Sequence, residues 1–159
     1  MVDKVEQGKK NRKSGTDFER RVRKDLEENG WFVTKFMNNI ELYGDLQPAD
    51  NFWHCKSVIK GKFIPAKHKF IGKGRPMAIG TGFPDFLCFK VHDLSSPVTH
   101  HIEFVESKSN GQLDSVEKAK CRWLYEEGYP VKIASKTKVK NKIVIKYEDF
   151  WEKYADKLE

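Results

Sequence analysis

The sequence predicts an α/β domain, a mixed β-sheet with a helix on each side. Three observations point there. Apolar residues recur at helical spacing in two separate segments, Phe18, Val22 and Leu26 in one and Val116, Ala119, Trp123 and Leu124 in the other. Two apolar runs, "DFLCFKV" and "HHIEFVES", are joined by a turn through Ser95, Ser96 and Pro97, a spacing that suits an antiparallel pair. A strand–helix–strand step follows, and such a step is a right-handed parallel crossover where ordinary connection rules hold.

Residues 1–13 are polar and lysine-rich and are expected to form a flexible basic arm, leaving 14–159 as a single domain. The first helix is expected to start at a Thr16 cap and to end at Gly30. "WFVTKF" then reads as the first strand. Residues 38–82 are rich in Gly, Pro, Lys and aromatics, with no clean period. A structureless loop of that length does not fit a compact domain. A basic insert between the first and second strands is expected, a small irregular subdomain or hairpin with "FWHCKSVI" as its most strand-like piece. Beyond the paired strands, residues 114–127 form the second helix, with Asp114 as cap and Gly128 as stop. "PVKIAS", "KIVIKY" and "EDFWEKYADKL" supply two more strands and a terminal helix, and there are no internal repeats.

At 159 residues the chain is long enough for one real core and short for two. Its 33% charged residues suit a soluble surface, and no apolar run approaches a membrane span. The first fifteen residues lack the apolar core of a secretory signal, so a cytoplasmic location is expected, in a prokaryotic cell or a virus-infected host. Cys55, Cys88 and Cys121 are few and far apart, which argues against a disulfide framework or zinc knuckle and for reduced thiols. The five histidines show no metal-ligand spacing. The formal charge of +7 suggests a polyanionic partner. Its distribution sharpens the point: residues 51–84 hold no acid but carry Lys56, Lys60, Lys62, Lys67, Lys69, Lys73 and Arg75. Residues 128–147 are likewise free of acids and hold six lysines. Blocks of one sign repel themselves and call for a counter-charge.

The chemistry concentrates at the ends of the paired strands. Glu106 and Lys108, two apart, fall on one face at the end of the later strand. Asp85 opens the strand before it, and antiparallel pairing sets the start of one beside the end of the other. Two carboxylates about 4 Å apart repel by roughly 4 kcal/mol at an effective dielectric of 20. A hard divalent cation reverses that sign, and magnesium is typically held by one or two carboxylates plus water and substrate phosphate. Such a site suits metal-assisted phosphodiester hydrolysis, with the lysine orienting water or stabilising growing charge. The chain has a single acid-x-Lys triplet, Glu106-Ser107-Lys108, and a single Pro-Asp, Pro84-Asp85, so it is their joint placement that has weight. Asp45, Asp50 and Lys56 make a second acid–lysine group inside the insert, without the two-residue spacing.

"GFPDF" followed by "IEFVESK" resembles the PD-(D/E)XK nuclease superfamily, whose restriction-endonuclease-like core has the order αβββαβ. "GTDFERRVRKDLEENGWFV" resembles the N-terminal motif of archaeal Holliday junction resolvases. "GQLDSVEKAKCRWLYEEGYPVKIAS" resembles the corresponding part of those resolvases and of virus-type replication-repair (VRR) nucleases. The likeness covers residues 15–37 and 80–135. It implies a magnesium-dependent DNA endonuclease, with manganese able to substitute. Asp85 and Glu106 would bind metal, Lys108 would be the catalytic lysine, the Ser107 carbonyl would add a ligand, and Glu19 would complete the acidic cluster. Thr16 and Glu19 also spell a capping box, which competes for Glu19. Related nucleases often carry glutamine on the helix after the lysine; Glu117 stands there, as an expected capping partner of Asp114.

The resemblance further implies a branched-DNA substrate of the Holliday junction kind and a possible homodimer. A flap or restriction-type nuclease, or a non-catalytic DNA-binding protein on the same scaffold, is the alternative. The bases expected to grip DNA are Lys10, Arg12 and Lys13 of the arm, Arg20 and Arg23 of the first helix, and the seven of the insert named above. Trp53, Phe63 and Phe70 alternate with lysines there, and either stack on splayed bases or form the insert's own core.

Overall fold

The computed structural model describes residues 4–43, 60–66, 69–70, 76–77, 82–95 and 97–155. Helix α1 (Lys4–Glu28) begins well ahead of the expected Thr16 cap. The supposed arm is therefore helical from Lys4 onward. The reason is propensity: residues 4–13 are mostly Lys, Arg, Glu and Gln, all good helix formers, with no proline to interrupt them. Thr16 consequently lies inside the helix and cannot cap it. Gly30, at φ +81°, adopts the left-handed turn after the helix that favours glycine.

Strand β1 (Phe32–Lys35) follows, then the insert pieces β2 (Asn38–Tyr43), β3 (Lys60–Pro65), β4 (Lys69–Phe70) and β5 (Pro76–Met77). The remainder is β6 (Phe86–Asp93), β7 (Thr99–Ser107), α2 (Ser115–Glu126), β8 (Val131–Val139), β9 (Lys142–Asp149) and α3 (Phe150–Tyr154). A five-stranded sheet has the order β1-β6-β7-β8-β9. β6 and β7 are antiparallel, as their spacing predicts, and β7 and β8 are parallel across the α2 connection. β1 and β9 join antiparallel at the two edges, so the sheet is mixed.

Period-2 alternation divides the sheet into two apolar faces. On one, Phe86, Cys88, Val105 and Ala134 pack under Phe18, Val22 and Leu26 of α1. On the other, Phe104, Val131 and Ile133 pack with Ala119, Cys121, Trp123 and Leu124 of α2 and with Phe150 and Tyr154 of α3. Cys88 and Cys121 are free and buried. Among the described residues no helix is long and apolar enough to cross a membrane.

The insert is anchored on the α2 side. β2 and β3 pair antiparallel, and Ile40 joins the α2-side core. Phe63 meets Phe36 edge-on at 5.4 Å, Trp123 at 5.3 Å and Phe104 at 6.1 Å, so it packs against the domain while 40% of it stays exposed. Gly61 permits this approach, since a Cβ there would sit 2.8 Å from the Trp123 ring. "FWHCKSVI", with Trp53 and Cys55, lies outside the described residues, as do Asp45, Asp50, His54 and His68.

Candidate active site

The register β6–β7 pairs Phe86 with Val105, which sets Asp85 against Glu106 at one end of the sheet. Both are buried, at 6% and 4% exposure. The Asp85 N–H donates to Glu106 Oε2 at 2.9 Å. Ser107 returns the contact: its N–H donates to Asp85 Oδ2 at 3.0 Å, and its hydroxyl donates to the same oxygen. Two buried acids are thereby tied together by main chain rather than merely placed near each other.

Each acid also has a lysine. Lys108 Nζ lies 3.2 Å from Glu106 Oε1 and 2.5 Å from Glu117 Oε1. Glu117 has the expected capping role as well, since Asp114 and Glu117 form a complete capping box at the start of α2. Lys35 Nζ bridges Asp85 Oδ1 at 3.0 Å and Glu19 Oε2 at 2.7 Å. Thr16 does not compete for Glu19, which faces the acids instead. Asp85, Glu106, Ser107, Lys108, Glu19 and Glu117 line one recess of about 360 Å³.

Burial and then the neighbouring Asp85 charge push the Glu106 carboxyl up to about 8. Burial alone would lower the Lys108 ammonium, but hydrogen bonding to Glu117 and the Glu106 charge outweigh it and the ammonium is raised. Lys35 follows the same logic: burial works against its charge, and Glu19 and Asp85 more than offset it.

The donor set suits a hard cation. Five carboxylates, Glu19, Asp85, Glu106, Asp114 and Glu117, line the recess. Three lysines oppose them: Lys108 and Lys120 on its wall, and Lys35 bonded to two of the acids. Among the described residues no three acid, histidine or cysteine side chains close on one point. The fit is therefore to an ion held by one or two carboxylates with water and substrate oxygens completing its shell, which is how magnesium is commonly bound.

The structure thus brings Asp85, Glu106, Ser107, Lys108 and Glu19 together. It sorts the expected DNA-binding residues differently. Lys10 and Lys13 line a second recess, beside Arg21 and Lys136. Arg20 and Arg23 are paired on the helix surface, with Asp17 at 3.0 Å and Glu27 at 2.8 Å. Lys62 pairs with Glu41 at 3.1 Å. Arg12 and Lys60 are exposed. Lys56, Lys67, Lys73 and Arg75 lie outside the described residues, and for Lys69 only the main chain, in β4, is described.

Lys35 and Arg21 were not foreseen, and Lys136 was read only as one of the six lysines of the acid-free block 128–147. For Lys35 a signal existed. It shares the face of Val33 in β1, which packs beneath α1, and a lysine at an inward strand position requires a carboxylate partner.

The fold and the site define an α/β domain with a mixed five-stranded sheet, carrying a buried acid–lysine cluster at one end. No family model, curated protein or solved structure matches the chain.

Proposed function

We propose that the protein is a metal-dependent DNA endonuclease with a restriction-endonuclease-like core, hydrolysing phosphodiester bonds in branched or otherwise structured DNA. The observation that carries this is the convergence of Asp85, Glu106 and Lys108, from two adjacent strand ends, on one acidic recess in a basic chain.

Asp85 and Glu106 would hold the cation, magnesium or manganese, with the Ser107 carbonyl and Glu19 as further oxygen donors. When bound, that ion supplies neutralisation of phosphate charge and a more acidic water. The chain's own groups do the rest. Ser107, through its N–H and hydroxyl, fixes the rotamer of the Asp85 carboxylate. Glu117 holds the Lys108 ammonium at the recess wall, where it can donate to the attacking water or to the phosphate oxygens. The Asp85 N–H orients Glu106.

One observation favours a second reading, a DNA-binding protein that keeps the scaffold without cutting: Lys35 already places a cation between Glu19 and Asp85. The two part in one experiment. Four-way junction, flap, single-stranded and duplex DNA are incubated with magnesium or manganese, beside Glu106→Ala. The nuclease cuts at least one substrate, chelator stops it, and the variant does not cut. Absence of cutting under every divalent ion tried would leave the binding protein.

A further inference from the structure

The first half of α1 poses its own question. Before Phe18 none of its described residues is buried. From Lys4 to Lys13 it carries five bases and one acid. A short helix that packs against little draws only marginal stability from its own hydrogen bonds. One of its faces nevertheless borders a recess shared with the sheet. Lys10, Lys13, Ser14, Asp17, Phe18 and Arg21 line one recess of about 290 Å³, and they fall at i, i+3, i+4, i+7, i+8 and i+11, a single helical face. Lys136 of β8 forms the opposite wall, its ammonium 5.0 Å from the centre of the Phe18 ring.

Lys10, Lys13, Arg21 and Lys136 have no carboxylate partner among the described residues, which is true also of Lys4, Lys9 and Arg12 outside the recess, whereas Arg20, Arg23 and Lys24 are each paired within the helix. The one acid on the wall, Asp17, gives Oδ1 to Arg20. Four cations are thus left facing one channel. The channel and the acidic recess share no lining residue, but the chain links them at two places. Phe18 lines one and Glu19 the other, and the Lys136 N–H donates at 3.2 Å to the carbonyl of Ser109, one residue past Lys108.

We propose that this channel, walled by Lys10, Lys13, Arg21 and Lys136, is a phosphate-backbone track that holds the DNA strand leading to the candidate catalytic centre. The inference rests on the nuclease reading above and adds to it where the flanking strand runs. Lys10 to Arg21 spans about 16 Å at 1.5 Å per helical residue. That covers about five nucleotides of one strand measured along a duplex axis, at 3.4 Å of axial rise each. Contacts of this kind read no sequence, so the track suits recognition of a DNA shape.

The test is binding, measured apart from cutting. Fluorescence anisotropy of a labelled four-way junction and a labelled duplex is followed in chelator, between about 50 and 200 mM salt, where affinity falls by about 0.9 log unit per log unit of salt for each phosphate contact. The triple variant Lys13→Ala, Arg21→Ala, Lys136→Ala should lower that slope by about 2 to 3 and weaken binding at least tenfold. Lys10→Ala with Lys13→Ala, on turns of α1 none of whose described residues is buried, should lower it by about 2, which covers any misfolding of the triple variant. Lys90→Ala, by Asn29 at the far end of α1, serves as the control. Slopes equal to wild type in both variants would overturn the track. If the wild type still cuts DNA in that case, the nuclease reading survives and only the track is lost. A wild type that neither binds nor cuts removes both.

Discussion

The Lys35 ammonium sits 3.0 Å from Oδ1 of Asp85 and 2.7 Å from Oε2 of Glu19, bridging two acids that the chain keeps far apart. It occupies the gap between carboxylates where a divalent ion would bring the same electrostatic relief. Lysine and metal should therefore oppose one another. Lys35→Met is expected to bind magnesium at least tenfold more tightly by titration calorimetry. It should also lose about 1–3 kcal/mol of stability without metal, because Asp85 then keeps a buried charge with one partner fewer. Most of that loss should return on adding magnesium. Equal metal affinity in both proteins would show that lysine and ion do not share the gap.

Asp85 is the residue on which the proposed chemistry turns. Asp85→Asn keeps the shape and an oxygen for the Ser107 donors, but removes the charge. Cleavage is expected to drop on the order of a thousandfold or more, an amount in keeping with loss of metal-assisted charge stabilisation. DNA affinity in chelator should stay within about threefold, since the proposed phosphate contacts lie elsewhere. A variant that cuts normally would move the catalytic centre away from this end of the sheet.

Glu106 links the site to pH. Its carboxyl is pushed up to about 8 in the folded chain, against an ordinary 4.5. Between those limits the folded state holds a proton that the unfolded state has released. This contribution is fully present below about 4.5 and is lost as pH rises through about 8. Metal-free protein should thus melt at progressively lower temperature from pH 5 to pH 8, relative to Glu106→Gln, which cannot titrate. The two melting curves running parallel across that range would contradict the assignment.

The insert should be joined energetically to the domain rather than merely tethered. A Cβ at Gly61 would meet Cδ2 and Cε2 of Trp123 at 2.8 Å, closer than packed carbons allow. Trp123 is itself held by Phe63 and by the α2-side core. Gly61→Ala is expected to cost about 1–3 kcal/mol in denaturant unfolding, as overpacking usually does. A change within about 0.5 kcal/mol would mean that β3 can lift away from α2 freely.

What the amino-acid order determined by itself was local and periodic. Phe18, Val22 and Leu26 mark the buried stripe of α1 because burial repeats with the helical period, and apolar runs mark β6 and β7, whose buried stretches are covered on both faces of the sheet. Asp114 and Glu117 announce the cap of α2 because a capping box is complete within four residues. Asp85, Glu106 and Lys108 could be brought together on paper because antiparallel neighbours oblige one strand's start to meet the other's end. The start of α1 was misjudged where charge density, which suggests an arm, competed with helix propensity, which prevailed. Lys35 between Glu19 and Asp85, and Lys136 of β8 facing Lys10, Lys13 and Arg21 of α1 across one recess, were decided only by tertiary structure. Those contacts join helix to sheet and strand to distant strand, and an ion pair depends on where charges lie in space, which no local pattern records.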